Sequence, residues 1–431
     1  MATGTSLSHV FPLGSRLNER GRVEVGGCDT IELAREFGTP AYVVAEDDLR
    51  ARARAFTQAG PQAGHEDFHV VFASKAFPCT AVLALLAEEG LWCDVASGGE
   101  LHLALNAGFP PERILMHGNA KSLAELRMAL EHGVGLVVID NFDEIDRLEG
   151  MGERGDNRRQ AVLLRATPDV RGDTHEKIST GQADSKFGFS MADVPTAIER
   201  VQGIDSLDLQ GIHAHIGSQL LELEPYRREA AALAQIGDSV GGFSIYDLGG
   251  GLGVAYTHTQ HPPEIEQWVG TVVEAAHDAG IPADTRLLVE PGRALTANAG
   301  VTLYTVESVK RNVSTWVAVD GGMSDNLRPM LYGAVYEAHV ADRYGAGAEG
   351  TPCVIAGKHC ESGDVIVREA LLDDPKPGDV IVTPTTGAYG FAMASNYNGV
   401  PRPPVIFCKD GDARVVVRRE RFEDLTARDV G

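Results

Sequence analysis

From about Asp47 to Asn298, short apolar runs alternate with helix-like segments, and nearly every run ends in a polar residue or a glycine cluster. This alternation limits the fold more than any other feature of the chain. The runs are Val70–Ala73, Trp92–Val95, Ile114–Met116, Leu136–Ile139, Val162–Arg165, Gln210–His215, Ser244–Leu248 and Leu287–Glu290. Helix-like stretches such as Cys79–Glu89, Ser122–Glu131 and Pro225–Ile236 lie between them. Strand–helix alternation repeated this often over about 250 residues predicts an eight-fold β/α (TIM-type) barrel.

After about Gly300 the texture changes. Val301–Val309, Trp316–Val319, Cys353–Ile355, Val365–Arg368, Val380–Val382, Pro404–Cys408 and Ala413–Arg418 are short β-rich runs between turn residues. They predict a mostly β C-terminal domain. Ala41–Val44 reads as one further strand able to join it. The expected organisation is an N-terminal segment (1–46) joining the β domain, a barrel (47–298) and the β domain itself (299–431). Gly150–Arg159 and Gly345–Thr351 read as exposed loops.

Composition excludes several partners. The chain carries 38 Lys and Arg against 61 Asp and Glu, a net charge of −23. Nucleic acid and anionic membrane both demand basic patches, so neither is an expected partner. The six cysteines form no C-x-x-C pair and are too sparse for a disulfide framework. Met1–Gly27 has no continuous apolar run, and no stretch approaches the roughly 18 apolar residues of a membrane span. A cytoplasmic location is expected.

The chemistry sits where a barrel would put it. Active sites of such barrels are built from the C-terminal strand ends. Here those ends carry Lys75, Ser97-Gly98-Gly99, His117-Gly118-Asn119, Asp140, Arg165, His215, Gly249-Gly250-Gly251 and Glu290. A partly desolvated lysine loses its proton readily and adds to aldehydes, which points Lys75 toward pyridoxal phosphate (PLP). Glycines at 249, 250 and 251 would let backbone N–H groups approach a phosphate. A carboxylate such as Glu290 keeps a pyridine nitrogen protonated, and Arg293 could grip a phosphate or a carboxylate. In His213-Ala-His215, both imidazoles share one face of a strand. One could stack on a ring while the other is a core histidine. H-x-H also suggests a metal, but no third ligand stands at a matching position, so none is expected. Cys360-Glu361 in the β domain offers a thiol proton donor and a carboxylate. Each residue alone also has an ordinary reading: a solvated lysine, a tight turn, a Glu290–Arg293 ion pair, an inert buried cysteine.

Taken together, Ala73–Phe77, His213–Gln219, Gly249–Gly253, Glu290–Arg293, Gly321–Gly333, Lys358–Asp364 and Gly387–Tyr389 resemble the ornithine/diaminopimelate/arginine family of PLP-dependent decarboxylases. Within it they are most similar to members acting on diaminopimelate. The resemblance implies that Lys75 carries the cofactor and His215 stacks on its ring. It implies that Ser218, Gly249, Gly250, Gly251 and Gly292 hold the phosphate, and that Glu290 meets the pyridine nitrogen. Tyr389 would lie near cofactor and substrate. Arg293, Arg328, Tyr332 and Glu361 correspond to substrate-binding positions, and either Cys360 or Lys75 would return the proton to the α-carbon. Cys360 and Glu361 would come from the other subunit of a homodimer whose active site is shared across the interface. The implied reaction is decarboxylation of meso-2,6-diaminopimelate to L-lysine, the last step of lysine biosynthesis. Its nearest rival is a sister enzyme acting on arginine, ornithine or a carrier-bound glutamyl group. A racemase on a similar barrel would place arginine at the pyridine nitrogen, against Glu290. An inactive homologue serving a protein partner would be expected to lose the lysine or the cysteine.

Overall fold

The computed structural model describes residues 7–152, 159–170, 185–345 and 350–430. The middles of the two expected loops, 153–158 and 346–349, lie outside the described residues. The chain divides into two compact units, one of Arg52–Gly253 with Pro262–Ala294, the other of Met1–Ala51, Val254–His261 and Leu295–Gly431.

The strand β1 (Ala41–Ala45) belongs to the second unit, and the barrel follows it in the chain. Its strands are β2 (Phe68–Ala73), β3 (Trp92–Val95), β4 (Ile114–Met116), β5 (Leu136–Ile139), β6 (Gln160–Thr167), β7 (Leu207–His213), β8 (Ile245–Asp247) and β9 (Arg286–Val289). All are parallel and pair in that order. Closure comes from β9 returning to β2, with Leu287 opposite Phe68 and Val289 opposite Val70. The predicted barrel is therefore present. A two-residue strand, Phe189–Ser190, adds to the edge of β6.

Strand pattern explains the closure. A parallel barrel strand is buried on both faces, so it reads as a continuous apolar run rather than an alternating one. Ile114–Met116 and Leu136–Ile139 are buried at every position. Val71, Leu115, Val138, Leu163, Ile245 and Leu288 meet in one cluster of the barrel core. Between strands, helices start where sequence marks them. Ser122 accepts from the Glu125 N–H while Glu125 reaches back to the Ser122 N–H, and the helix Leu123–His132 ends at Gly133 in the left-handed region.

The second unit is a sheet. Its longer strands after β1 are β10 (Gly300–Arg311), β11 (Thr315–Val319), β12 (Thr351–Ala356), β13 (Val365–Leu372), β14 (Val380–Thr383), β15 (Val405–Lys409) and β16 (Asp412–Val417), and a two-residue strand, His339–Val340, pairs with β14. The main path runs β13-β12-β11-β10-β1-β15-β16. The strand β1 lies in the middle, antiparallel to β10 and parallel to β15, as the apolar run at Ala41 suggested. A small sheet of Arg16–Leu17, Val23–Val25 and Cys28–Asp29 packs its apolar side chains into the core of this unit and has no counterpart in the sequence reading. Strands of two or three residues carry too little periodicity to be seen.

Candidate active site

The barrel strands deliver a buried acid–imidazole cluster at their C-terminal ends. Glu290 directly follows β9 and is 7% exposed. His213, the last residue of β7, places Nε2 3.2 Å from one Glu290 oxygen. His117, just after β4, places Nε2 2.7 Å from the other, Oε1, without the alignment of a hydrogen bond. Asp247, the last residue of β8, is fully buried and accepts the Gly249 N–H at 3.0 Å. The ligating atoms of these four side chains lie within 4.8 Å of one another.

Their charges follow from this crowding. Burial alone would raise the Glu290 carboxyl, but His117 and His213 outweigh it and hold it well below the ordinary range. Burial pushes His213 down to about 4, so the ring is neutral at neutral pH. A neutral imidazole facing a carboxylate through Nε2 carries its proton there and donates it. Burial, then the neighbouring Glu290 charge, push Asp247 well above the usual aspartate value, so it is the protonated member of the pair. The loop after His117 is fixed by Lys121. Its buried ammonium donates to the Gly118 and Val138 carbonyls at 2.7 and 2.8 Å and pairs with Glu144 at 2.8 Å.

Lys75 lies in a single turn, Ser74–Ala76, immediately after β2. It is exposed, which corrects the expectation of a partly desolvated lysine. Its charge acts on Asp94, Glu100 and His215, which places the amine at the same barrel end. His215 accepts the Gly250 N–H on Nδ1 at 3.2 Å, and burial with Lys75 and Arg165 nearby holds it well below its ordinary value. Arg165, 8% exposed on β6, lays its guanidinium 4.4 Å from the centre of the Phe187 ring.

The glycine run is required by its neighbours. A Cβ on Gly250 would stand 2.0 Å from the Glu290 carbonyl oxygen. Gly251, at φ +105°, would meet the Gly217 carbonyl at 2.4 Å. This contact brings the Gly217-Ser218 turn against the run. Ser218 Oγ in turn accepts from the Arg293 guanidinium at 2.8 Å. Hydroxyl, guanidinium and glycine backbone thus gather at one edge of the barrel mouth.

The sheet unit holds the remaining predicted residues. Arg328 is buried, with its guanidinium 4.7 Å from the Tyr256 ring centre and 5.7 Å from that of Tyr336, whose hydroxyl accepts one of its N–H groups. Tyr332 closes the same short helix, Arg328–Tyr332. Tyr389 is held at φ +66°, a conformation that costs a bulky residue about 1–3 kcal/mol. Cys360 and Glu361 are exposed on one loop. Asp364 clamps its base, accepting the His359 N–H at 2.9 Å and the Met323 N–H at 2.7 Å.

Several ordinary readings fall away. Cys360 is not an inert buried thiol, and Glu290 and Arg293 are not a surface pair but buried side chains, the one against imidazoles and the other bonded to Ser218. His213 is a satisfied core histidine, as expected, and the partner that satisfies it is Glu290. Ser97 turns out to be a helix cap, accepting the Glu100 N–H at 3.2 Å. The expectation that His213-Ala-His215 lacks a third ligand is corrected, since His117, Asp247 and Glu290 bring candidate ligand atoms to His213 from other strands; sequence reasoning passed over Asp94 and Asp247. An acid inside an otherwise apolar strand was the available signal.

Comparison with known proteins gives a consistent picture. Residues 46–297 match the family described as the pyridoxal-dependent decarboxylase, pyridoxal binding domain. The diaminopimelate decarboxylase of Bacillus subtilis is 45% identical, covering 96% of this chain and 97% of that protein. That of Actinosynnema pretiosum is 46% identical over 98% and 95%. Among solved structures, diaminopimelate decarboxylase from M. jannaschii in complex with L-lysine superposes with a TM-score of 0.89 at 32% identity, covering 97% of this chain and 98% of that one.

Proposed function

The chain belongs to the pyridoxal-dependent decarboxylases, and from that premise we propose that it converts meso-2,6-diaminopimelate to L-lysine and CO2, the last step of lysine biosynthesis. It is a carboxy-lyase that uses pyridoxal phosphate. The observation that carries the chemistry is Glu290 Oε1, a buried carboxylate oxygen without an aligned donor at the barrel end that also bears Lys75. Such an oxygen fits the N–H of a protonated pyridine. Ser218, Arg293 and the Gly249–Gly251 backbone fit a phosphate.

When bound, the cofactor supplies an electron sink for the pair left on the α-carbon as CO2 departs. The residues then divide the work. Lys75 would be the amine that holds the cofactor at its aldehyde and on which product release depends. Glu290 keeps the ring nitrogen protonated. His215 packs on the ring in its neutral form. Ser218, Gly249, Gly250, Gly251, Gly292 and Arg293 anchor the phosphate. Arg328, Tyr332, Tyr389 and Glu361, with Arg293, bind the substrate, and Cys360 returns a proton to the α-carbon.

The exposed Cys360 and Glu361 are assigned to the active site of a second copy, so the working unit is a homodimer in the cytoplasm. No helix among the described residues is long and apolar enough to cross a membrane. Mixing the inactive Lys75→Ala chain with the impaired Cys360→Ala chain should raise activity above that of either alone, up to about a quarter of wild type after random exchange of subunits. No recovery after demonstrated exchange would sink the shared site. Substrate identity is tested by lysine release from meso-diaminopimelate with the PLP-loaded protein. Stoichiometric lysine and CO2 are expected. An intact cofactor spectrum without lysine would move the substrate to arginine, ornithine or a carrier-bound glutamyl group.

A further inference from the structure

Glu290 is assigned above to the ring nitrogen, but nothing in that assignment explains why three more ionisable side chains converge behind it. We propose that His117, His213 and Asp247 are positioning residues that hold the Glu290 carboxylate, in its charged form, against the cofactor's ring nitrogen. The inference rests on the cofactor reading and deepens it.

The geometry is specific. His213 leaves β7, Asp247 leaves β8 and His117 follows β4, so three separate strands aim at one carboxyl group. The His213 bond of 3.2 Å occupies Oε2. His117 lies 2.7 Å from Oε1 but out of line, which leaves that oxygen with directional capacity for one more donor. The two imidazoles pack edge to face with centroids 4.8 Å apart, so neither ring can turn without moving the other. Asp247 is locked by the Gly249 N–H at 3.0 Å. The same four side chains have the composition of a metal site. The His213–Glu290 bond is the contact that such an ion would have to displace.

Other charged groups also act on this site and must share in its titration. Asp94 on β3, Arg165 on β6, His215 beyond β7 and Glu229 on the helix Glu224–Val240 all feel the Glu290 charge. These four feel that charge through space, whereas His213 bonds the carboxylate and His117 lies 2.7 Å from it. The cluster of His117, His213 and Asp247 is therefore the part expected to set its orientation.

The test is a pH titration of the visible absorption band of the Lys75-bound cofactor, together with steady-state kinetics, in His213→Leu, His213→Gln, Asp247→Ala and Asp247→Asn. Losing the His213 donor, or the Asp247 side chain whose oxygen lies within 4.8 Å of the same carboxylate, should move the acid-side transition of the band upward by about one to two pH units. His213→Leu and Asp247→Ala should show that shift and lose kcat about tenfold or more, with KM changed much less. His213→Gln, which keeps an N–H donor, and Asp247→Asn, which keeps an uncharged side chain of the same size able to accept the Gly249 N–H, should recover most of both effects. A purely structural role would lower thermal stability in all four without moving the band. Folded, cofactor-loaded His213→Leu and Asp247→Ala with wild-type titration and kcat would overturn the proposal. If His213→Leu does not fold, the Asp247 pair decides by the same criteria. Failure of the wild-type protein to form the band at all would overturn the cofactor reading itself, and this inference with it.

Discussion

The barrel end and the loops of the sheet unit carry their chemistry in different ways. At the barrel end, Glu290, His117, His213 and Asp247 are buried on or beside strands and set one another's charge. In the sheet unit, Cys360 and Glu361 stand exposed on a loop whose base alone is clamped, by Asp364. Arg328 is the exception there, enclosed by tyrosines. The difference teaches a division of labour. Groups that tune a cofactor need fixed positions in low dielectric, which parallel strand ends supply. Groups that select and protonate substrate can sit on loops. Barrel substitutions should therefore remove turnover and alter the cofactor spectrum, and sheet-unit substitutions should act on substrate.

The largest effect is expected at Lys75. Lys75→Ala removes the amine that both holds the aldehyde and releases product, so lysine formation should fall by about a thousandfold or more and the visible band should vanish. Stopped-assay lysine detection with an absorption scan checks both. Near wild-type turnover in this variant would break the comparison at its first term, since the barrel end would then not carry the chemistry.

Stability against pH should also separate the two regions. His213 sits well below its ordinary value, so its contribution is complete above about pH 6.5. It is lost as pH falls toward the folded value of about 4. That window corresponds to about 3 kcal/mol. Asp325 in the sheet unit has the opposite sign. Burial raises it from 3.8 to about 7, although the Tyr304 hydroxyl and the Gly322 N–H donate to its oxygens at 2.6 and 2.7 Å. Its contribution is complete below about pH 3.8 and is lost as pH rises toward 7, by roughly 4 kcal/mol. Hydrogen exchange in Asp325→Asn and His213→Gln, each set against wild type, reads the two slopes separately. Asp325→Asn should lose the alkaline slope in β10 and β11, whatever its baseline stability. His213→Gln should lose the acid slope in β7. Equal slopes in variant and wild type would mean that neither region stores its charge as described.

How much of this was legible beforehand depends on where a residue sits relative to its strand. Lys75, His215 and Glu290 could be read because a polar residue closing a continuous apolar run stands out. Gly250 could be read as a close approach, although the atom approached, the Glu290 carbonyl, could not. Asp94 lies inside β3 and Asp247 closes β8, but both fall within the apolar runs read as Trp92–Val95 and Ser244–Leu248, where one acid among apolar neighbours does not stand out as a site. The tyrosine enclosure of Arg328 was hidden for another reason. Tyr256 lies far earlier in the chain, in the short segment Val254–His261 that joins the sheet unit, and no local pattern links it to Arg328.

Cys360 tests the exposed side of the comparison. The other five cysteines are buried, and burial raises Cys79 and Cys353 to about 11, so neither offers thiolate at neutral pH. A short exposure to iodoacetamide should therefore label Cys360 first, as peptide mass mapping would show. Cys360→Ala should lower kcat about ten- to hundredfold with the cofactor band unchanged. An altered band in this variant would blur the division, because a sheet-unit loop would then be tuning the cofactor.

Tyr336→Phe is the finest test. It keeps the ring beside the Arg328 guanidinium and removes only the hydroxyl that accepts from it. A buried cation that loses one acceptor is less well held, at a cost of about 1–2 kcal/mol. If Arg328 binds a substrate carboxylate in ground state and transition state alike, that cost appears as KM raised about tenfold with kcat within about twofold. The cofactor band and its pH dependence should stay as in wild type, since the Arg328 enclosure and the Glu290 cluster are built from different units of the chain. A fall in kcat at constant KM would mean that Arg328 acts only as the bond breaks. The sheet unit would then share in turnover, and the line between tuning and selection would have to be drawn inside that unit, between the enclosed Arg328 and the exposed Glu361.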